Sequence, residues 1–333
     1  MSTSPYVPAW WIPGGHLRTL WGKLFRRSRS LPARVLRWDT PDGDFIDLWR
    51  VDAHRQAPRV LLLHGLEGGV RSHYARGMLR EAASRGWGAD LLIFRSCGDE
   101  MNRMPRFYHS GDTGDLAFVL ERLLAEFPES AFFLAGVSLG GNVLLKFLGE
   151  RGHAVSSRIV AAAAVSVPFD LARSSRRIDR GFSRVYQAHF LRSLQRKAAR
   201  KRRTFPDRVP QRALIGARTL YEFDDAVTAP LHGFRDAADY YSRSSAIRWL
   251  SGITVPTLLL SAVDDPFLPP EVLEEVRQIA REAPALEVEF VERGGHVGFI
   301  GGRIPWHPVY YMERRVADYF FQRLEARATA QQS

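Results

Sequence analysis

A short segment in the middle of the chain, residues 131–149, restricts the possible folds more than any other. It begins as an apolar run typical of a buried strand, passes through Gly136-Val-Ser138-Leu-Gly140, and continues as an amphipathic pattern typical of a helix. This spacing predicts a sharp strand-to-helix turn with strained backbone angles, because side chains two positions from the serine would collide. The turn lifts the hydroxyl clear of the sheet, to a helix N-terminus that stabilises developing negative charge.

The same alternation of strand and helix patterns along the chain predicts an α/β fold. Strands are predicted at 60–63, 90–94, 131–135, 159–167, 257–261 and 286–291, and helices at 74–84, 115–127, 139–149, 270–280 and 309–326. Strands that are apolar on both faces are typical of a mostly parallel central sheet flanked by helices, joined by right-handed crossovers. Segments 34–39 and 45–51 flank the turn Pro41-Asp42-Gly43 and predict an antiparallel hairpin.

The alternation is interrupted between the strands at 159–167 and 257–261. Helical patterns at 185–200 and 236–250 occupy this interval, and they predict a helical cap inserted over the end of the sheet. The predicted organisation is an N-terminal arm packed on the core (1–33), a core (34–170 and 251–328), a basic helical cap or lid (171–250) and a disordered tail (329–333).

A nucleophilic serine needs a general base, and His296 meets the sequence requirements for one. It follows a predicted strand and two glycines, Gly294 and Gly295, so it lies on a loop at the carboxyl end of that strand. Active groups of α/β sheets are found at such strand ends. The histidine also follows the serine in the chain order of α/β-hydrolases. We therefore predict an α/β-hydrolase fold with Ser138 as nucleophile and His296 as base.

The carboxylate that orients the histidine is predicted at one of two adjacent positions, Asp264 or Asp265. Both follow the predicted strand at 257–261 and precede His296. Hydrolases often show an acid followed by proline, with a second proline three residues further on. Asp265 has this spacing and is preferred, whereas Asp264 is expected to cap the next turn or helix. The orienting acid would hold the imidazole tautomer and stabilise the imidazolium.

The oxyanion hole requires backbone N–H donors near the serine. One is predicted at Leu139, directly after the nucleophile, and the other at Leu66, in the loop that follows the first buried strand. His64, at the start of that loop, is expected to brace the loop rather than to carry protons.

Neither a cofactor nor a metal is predicted. Gly65-Leu-Glu-Gly-Gly lacks the lysine and the spacing of a phosphate loop, and one cysteine with scattered histidines gives no clear metal cluster. The single cysteine, Cys97, excludes an intrachain disulfide, so we expect a reducing, cytoplasmic location. It is interpreted as a small, semi-buried residue. The N-terminal residues lack the basic and apolar regions of a signal peptide.

Further motifs resemble those of the YheT-like branch of the α/β-hydrolases, which includes the eukaryotic abhydrolase-domain proteins. The resemblance extends over about residues 6–321. Its most specific pieces are Trp10-Trp11-Ile-Pro-Gly14-Gly15-His16, His64-Gly-Leu-Glu-Gly68, Ser72-His73-Tyr74-Ala75-Arg76-Gly77, Tyr108-His109-Ser110-Gly111-Asp112-Thr113, Gly136-Val-Ser138-Leu-Gly-Gly-Asn142, Ser166-Val-Pro168-Phe-Asp170, Glu222-Phe-Asp224-Asp225, Asp264-Asp265-Pro266-Phe267 and Gly294-Gly295-His296-Val-Gly298-Phe299.

The resemblance implies a triad of Ser138, Asp265 and His296, and an esterase-like or lipase-like activity on acyl substrates. The chain departs from the usual pattern at residues 95–100, where glycine is expected at 96 and serine-glycine at 98–99. It also has Arg18 where glutamine is usual. Neither departure affects the triad, and the first is expected to reshape the rim of the pocket.

Hydrolysis of a carboxylic ester through an acyl-enzyme is the preferred reaction, with a small-molecule acyl ester as substrate. Thioester and amide hydrolysis are possible on the same triad. A different class of function, non-catalytic binding of nucleic acid or lipid through the basic segment, is the alternative. An intact triad argues against a purely non-catalytic role.

The positive charge of the chain is concentrated in the predicted cap. The chain has a net charge of +11, whereas residues 171–218 alone hold 15 Lys and Arg against two acidic residues, a net charge of +13. Solvated helix faces are the simplest interpretation. Peripheral contact with an anionic membrane surface is the next, because the segment would cover a lipid-active site. Nucleic acid is the least favoured partner.

Overall fold

The fold is centred on an eight-stranded sheet, as described by a computed structural model that covers residues 5–26, 31–209, 211 and 216–332. The strands are β1 (Arg34–Asp39), β2 (Phe45–Val51), β3 (Arg59–Leu63), β4 (Gly88–Ile93), β5 (Phe132–Val137), β6 (Ile159–Val165), β7 (Thr257–Ala262) and β8 (Leu286–Val291). Their order is β1-β2-β4-β3-β5-β6-β7-β8. β1 and β2 form the predicted antiparallel hairpin, β2 pairs antiparallel with β4, and all later pairings are parallel.

Helices cover both faces of the sheet. They are α1 (Gly14–Phe25), α2 (His73–Ser84), α3 (Thr113–Glu126), α4 (Leu139–Arg151), α5 (Leu171–Ile178), α6 (Ser183–Thr204), α7 (Leu220–Phe223), α8 (Ala229–Leu231), α9 (Ala237–Ser244), α10 (Pro270–Glu282) and α11 (Tyr311–Gln332). Alternate strand residues face opposite layers. On β3, Leu61 and Leu63 pack in the layer with α3, α4 and α10, whereas Val60 and Leu62 pack with α2 and α11. The predicted α/β-hydrolase fold class is confirmed.

The segment between β6 and β7 contains helices joined by turns, and no strand, in the part that the structure describes. Helices α5 to α9 occupy it, with a π-helical stretch, Asp224–Thr228, between α7 and α8. Two 3₁₀ turns, Ala246–Arg248 and Leu250–Gly252, lead into β7. We refer to residues 171–250 as the inserted segment.

The longest helix of the inserted segment, α6, divides its cations between two faces. Four exposed arginines recur every three or four residues and therefore share one face, which we call the basic stripe: Arg192, Arg196, Arg200 and Arg203. Two lysines face the core instead. Lys201 is buried and donates to the carbonyl oxygens of Asn102 and Met104, and Lys197 pairs with Glu67. Part of the segment's charge thus holds α6 to the core.

The C-terminus differs from the prediction of a disordered tail over residues 329–333. Helix α11 extends to Gln332, so the tail prediction is wrong for residues 329–332, and Ser333 lies outside the described residues. Alanine and glutamine favour helix at these positions, and Arg327 donates to the carbonyl oxygen of Ser157. The helix was predicted to start at residue 309, and this start is also wrong. Residues Val309–Tyr310 form β10, which pairs with β9 (Ile300–Gly301), and the helix begins at Tyr311.

Of the predicted N-terminal arm, the described residues are 5–26 and 31–33, with α1 as their helix. Helix α1 lies against α6, since His16 stacks on Tyr186 and Lys23 lies within 3.3 Å of His189. Among the described helices, none combines the length and the apolar composition that a membrane-spanning helix requires.

Candidate active site

Ser138 occupies the sharp turn between β5 and α4, with φ 54° and ψ −121°. Positive φ is strained for a residue with a side chain. The flanking glycines are needed because the backbone passes so close. A Cβ at Gly136 would lie 2.5 Å from the carbonyl oxygen of Gly140, and a Cβ at Gly140 would lie 2.5 Å from that of Leu63. The serine hydroxyl thus stands at the carboxyl edge of the sheet.

His296 and Asp265 continue from the serine hydroxyl as one hydrogen-bonded path. Nε2 of His296 lies 3.0 Å from Oγ of Ser138, and Nδ1 lies 2.8 Å from Oδ2 of Asp265. Asp265 is fully buried, and its other oxygen accepts a hydrogen bond from the backbone N–H of Phe267 at 2.8 Å. The structure therefore brings together the three side chains that the sequence singled out. Their separations suit proton transfer between serine and imidazole.

Asp264 faces a different set of partners. Its Oδ1 accepts hydrogen bonds from the backbone N–H groups of Gly294 and Gly295 at 2.7 and 2.8 Å, and its Oδ2 pairs with Arg18 at 3.1 Å. The expectation that Asp264 caps the next turn or helix is wrong, because the acid is turned toward the histidine loop. It fixes the two glycines that precede His296.

Two residues of α1 that sequence reasoning did not assign to the site also hold this loop. Thr19 Oγ1 accepts the backbone N–H of His296 at 2.8 Å, and Arg18 pairs with Asp264 as described. Arg18 stands where the family pattern usually has glutamine. No local signal connected Arg18 or Thr19 to a loop more than 240 residues away.

The loop after β3 packs directly on the serine. A Cβ at Gly65 would lie 3.2 Å from Cβ of Ser138. The N–H groups on either side of Leu66 are engaged, because Gly65 donates to the Tyr74 hydroxyl at 2.7 Å and Glu67 donates to the Tyr108 hydroxyl at 2.8 Å. Leu66 is therefore the candidate donor in this loop, as Leu139 is at the start of α4, and both line the same cavity as Ser138.

His64 is enclosed beneath this loop. Its Nε2 accepts the backbone N–H of Phe94 at 3.1 Å, and Nδ1 lies 2.7 Å from the carbonyl oxygen of Gly65. Burial lowers the pKa of His64 to about 4, so the ring is neutral near pH 7. A neutral ring bonded to backbone on both sides matches the bracing role that the sequence suggested.

Ser138 and His296 line a cavity of about 1320 Å³ between the sheet edge and the inserted segment. One wall is apolar and aromatic, formed by Ile178, Phe182, Tyr186, Phe190, Leu194 and Phe267. Cavities of this kind, mostly apolar with a few convergent polar groups, are typical of small-molecule sites. The space is large enough for an extended acyl chain.

Cys97 also lines the cavity, but its chemistry is that of an inert thiol. Burial raises its pKa to about 11, so the thiolate needed for attack is scarce near neutral pH. The interpretation of Cys97 as a semi-buried packing residue agrees with this geometry. Among the residues that the structure describes, no group of three or more His, Cys, Asp or Glu is placed to hold a metal ion.

The chain is similar in sequence or in fold to several known proteins. Residues 58–302 match the family model of the α/β hydrolase fold. The chain is 40% identical, over 98% of its length and 96% of the relative's, to YheT of Escherichia coli (strain K12), which is provisionally named an esterase. It is 29% identical to the phospholipase ABHD3 of Mus musculus, over 94% of this chain and 77% of that one. The solved esterase Pf2001 of Pyrococcus furiosus has a similar fold, with a TM-score of 0.56 and 18% identity over 87% of this chain and 92% of that one.

The chain therefore belongs to the α/β-hydrolase family, as a hydrolase of the esterase and lipase type. Within that family it belongs to the YheT-like branch, so the family predicted from the motifs is confirmed.

Proposed function

We propose that the chain hydrolyses carboxylic esters through Ser138, His296 and Asp265. The observation that supports this most is the continuous path from Asp265 Oδ2 through the imidazole to Ser138 Oγ, with separations of 2.8 and 3.0 Å, beside a large cavity. Nε2 of His296 takes the serine proton as Oγ attacks the ester carbonyl carbon. The resulting oxyanion accepts hydrogen bonds from the N–H groups of Leu66 and Leu139.

The rest of the reaction comprises the end of acylation and then deacylation. The imidazolium donates its proton to the leaving alcohol as the ester C–O bond breaks, and the acyl group stays on Ser138 Oγ. In the second half His296 takes a proton from water, the water oxygen attacks the acyl carbonyl, and the imidazolium returns a proton to the serine as the acid leaves. Asp265 stabilises the imidazolium in both halves.

Acyl lipid esters are the substrate class that fits the cavity best. The apolar wall beside Ser138 matches an alkyl chain, and each buried CH₂ contributes about 0.8 kcal/mol to binding. The relative ABHD3 is named a phospholipase, which supports lipid over small polar esters. Thioesters and amides would follow the same steps, and the esterase names of the relatives favour esters.

The proposed function is tested with p-nitrophenyl esters of graded acyl length. Wild type should hydrolyse them, with kcat/KM rising over the first several methylenes because the apolar wall removes them from water. Ser138→Ala should lose at least about 10⁴-fold in turnover. Thioester and anilide analogues of the best acyl group, run in parallel, decide the bond type. Equal turnover by wild type and Ser138→Ala would refute the proposal.

We also propose that the inserted segment contacts an anionic membrane surface. The basic stripe runs along the exposed face of α6, and at the N-terminal end of this helix Phe182 and Val185 are more than half exposed and line the cavity. Cations beside exposed apolar side chains suit the headgroup region of an anionic bilayer. Contact there would bring the cavity next to acyl substrates. The free thiol of Cys97 fits the cytoplasmic location that the sequence predicted.

A further inference from the structure

The residue after the candidate oxyanion donor Leu66 has an unusual backbone. Glu67 has φ 54°, in the left-handed region that residues with a side chain rarely adopt. Such a conformation is strained and persists only where surrounding contacts hold it. The contacts that hold Glu67 therefore decide whether the N–H of Leu66 keeps its direction.

Those contacts come from two sources. Within the core, Tyr108 accepts the backbone N–H of Glu67 at 2.8 Å and donates its hydroxyl to Oε1 at 2.9 Å. From α6 of the inserted segment, Lys197 Nζ pairs with Oε1 at 2.7 Å, and the hydroxyl of Ser193 donates to Oε2. Both carboxylate oxygens are thus bonded to α6.

The pair is shielded from water. The side chain of Glu67 is 7% exposed and that of Lys197 is 18% exposed. An ion pair with this little exposure is screened weakly by solvent, and removing one partner leaves the other charge buried and unpaired. The Glu67–Lys197 contact is accordingly a firm connection between α6 and the loop, unlike the exposed cations of the basic stripe.

We propose that Glu67 is a positioning residue that uses Lys197 and Ser193 of α6 to hold the Leu66 N–H toward the oxyanion. This inference rests on the proposed function, because it requires a reaction that passes through an oxyanion at Ser138. Its consequence is that the inserted segment forms part of the catalytic machinery and does more than cover the cavity. An α6 that is detached from Glu67 leaves the serine, histidine and aspartate in place but weakens stabilisation of the transition state.

Three substitutions isolate this connection. Lys197→Met keeps the length of the side chain and removes the charge. Glu67→Gly removes the carboxylate, while glycine adopts positive φ without strain, so the backbone conformation stays accessible. Lys201→Met is the matched control, because Lys201 also attaches α6 to the core, through the carbonyl oxygens of Asn102 and Met104, and does not contact the loop.

The experiment measures kcat and KM on a short soluble p-nitrophenyl ester, together with inhibition by a trifluoromethyl ketone that forms an oxyanion on the serine. Removing one oxyanion donor outright costs about 10²–10³ in kcat, so a donor that is loosened but present should cost about 10-fold. Lys197→Met and Glu67→Gly should each lose about 10-fold in kcat, with KM within about twofold. Their affinity for the ketone should fall by the same factor.

The double variant should be no worse than Glu67→Gly alone, because that substitution already removes every contact of the carboxylate, including the one with Lys197. Lys201→Met should lower the Tm but keep kcat and ketone affinity within about twofold of wild type. If Lys197→Met and Glu67→Gly match Lys201→Met in kcat and ketone affinity, the positioning role is overturned. Ser138→Ala is run beside them: retention of wild-type turnover by that variant would refute the proposed function itself, which separates the two failures.

Discussion

At the scale of single residues, two adjacent aspartates have different partners and should respond differently to substitution. Asp265→Asn leaves the imidazole of His296 with a neutral partner of the wrong hydrogen-bonding character, and comparable triads lose about 10⁴-fold in kcat. Asp264→Asn keeps an oxygen for the N–H groups of Gly294 and Gly295 but loses the charge that pairs with Arg18. We expect a loss of about 10-fold or less from this second change.

The measurement is kcat for both variants on one soluble ester, normalised to folded protein by circular dichroism. If Asp264→Asn were inactive and Asp265→Asn had nearly normal kcat, the assignment of Asp265 as the orienting acid would be contradicted.

The sequence could narrow the acid to these two neighbours, and the proline spacing favoured Asp265. It could not supply the role of Asp264, because consecutive side chains in a turn point in different directions and their partners are distant in the chain. Arg18 lies 246 residues from Asp264, and Thr19 lies 277 residues from His296. The serine turn was easier to predict, because its steric requirement for glycine is local.

At the scale of elements, the basic stripe on α6 should determine attachment to anionic membranes. Each basic residue near an anionic bilayer contributes about 1 kcal/mol. Replacing Arg192, Arg196 and Arg203, the stripe arginines that do not line the cavity, by glutamine should therefore weaken binding to phosphatidylserine-containing vesicles by about 10²-fold. Hydrolysis of vesicle-borne esters should fall with it, whereas a short soluble ester should be hydrolysed as by wild type. Co-sedimentation at low and high salt measures the binding.

The matched control replaces three exposed arginines elsewhere that also do not line the cavity: Arg55, Arg248 and Arg281. It removes the same charge and should keep most of the vesicle binding. Equal losses of vesicle binding in the two variants would mean that the net charge of the protein, and not the position of the stripe, determines membrane attachment. Salt-sensitive binding to DNA with none to vesicles would favour the nucleic-acid alternative.

The amphipathic pattern and charge count predicted a basic helix in this region, but not how it faces the core. Lys197 and Lys201 are four residues apart, as most neighbouring stripe arginines are. They differ from those arginines because they face the core, where Lys197 pairs with Glu67 and Lys201 donates to two backbone carbonyl groups. The choice of stripe residues needed the tertiary structure.

At the scale of the whole molecule, buried histidines should make the fold sensitive to mild acid. Burial lowers the pKa of His64 and His73 to about 4, of His109 to about 3 and of His232 to about 2. The unfolded chain takes up these protons near pH 6.5 and the native state does not, so stability is present above pH 6.5 and is lost as pH falls. Burial raises the pKa of Asp224 to about 6, which acts in the opposite direction.

Together these groups predict that the free energy of unfolding falls by roughly 4 kcal/mol between pH 7 and pH 5.5. Urea denaturation across this range measures it. His232→Gln should reduce the fall by about 1 kcal/mol, because it removes one of these protonations from the unfolded chain. A free energy of unfolding that is flat over this range would show that the histidines are protonated in the native state.

An acyl group is expected to pass through Ser138, and mass spectrometry of a trapped acyl-enzyme detects this step. Wild type is quenched in acid within its first turnover of an activated acyl ester, digested and sequenced alongside Ser138→Ala. We expect one acyl adduct per chain, on the peptide that contains Ser138, and none in the variant. An adduct on another residue, or the same adduct in Ser138→Ala, would show that Ser138 is not the nucleophile.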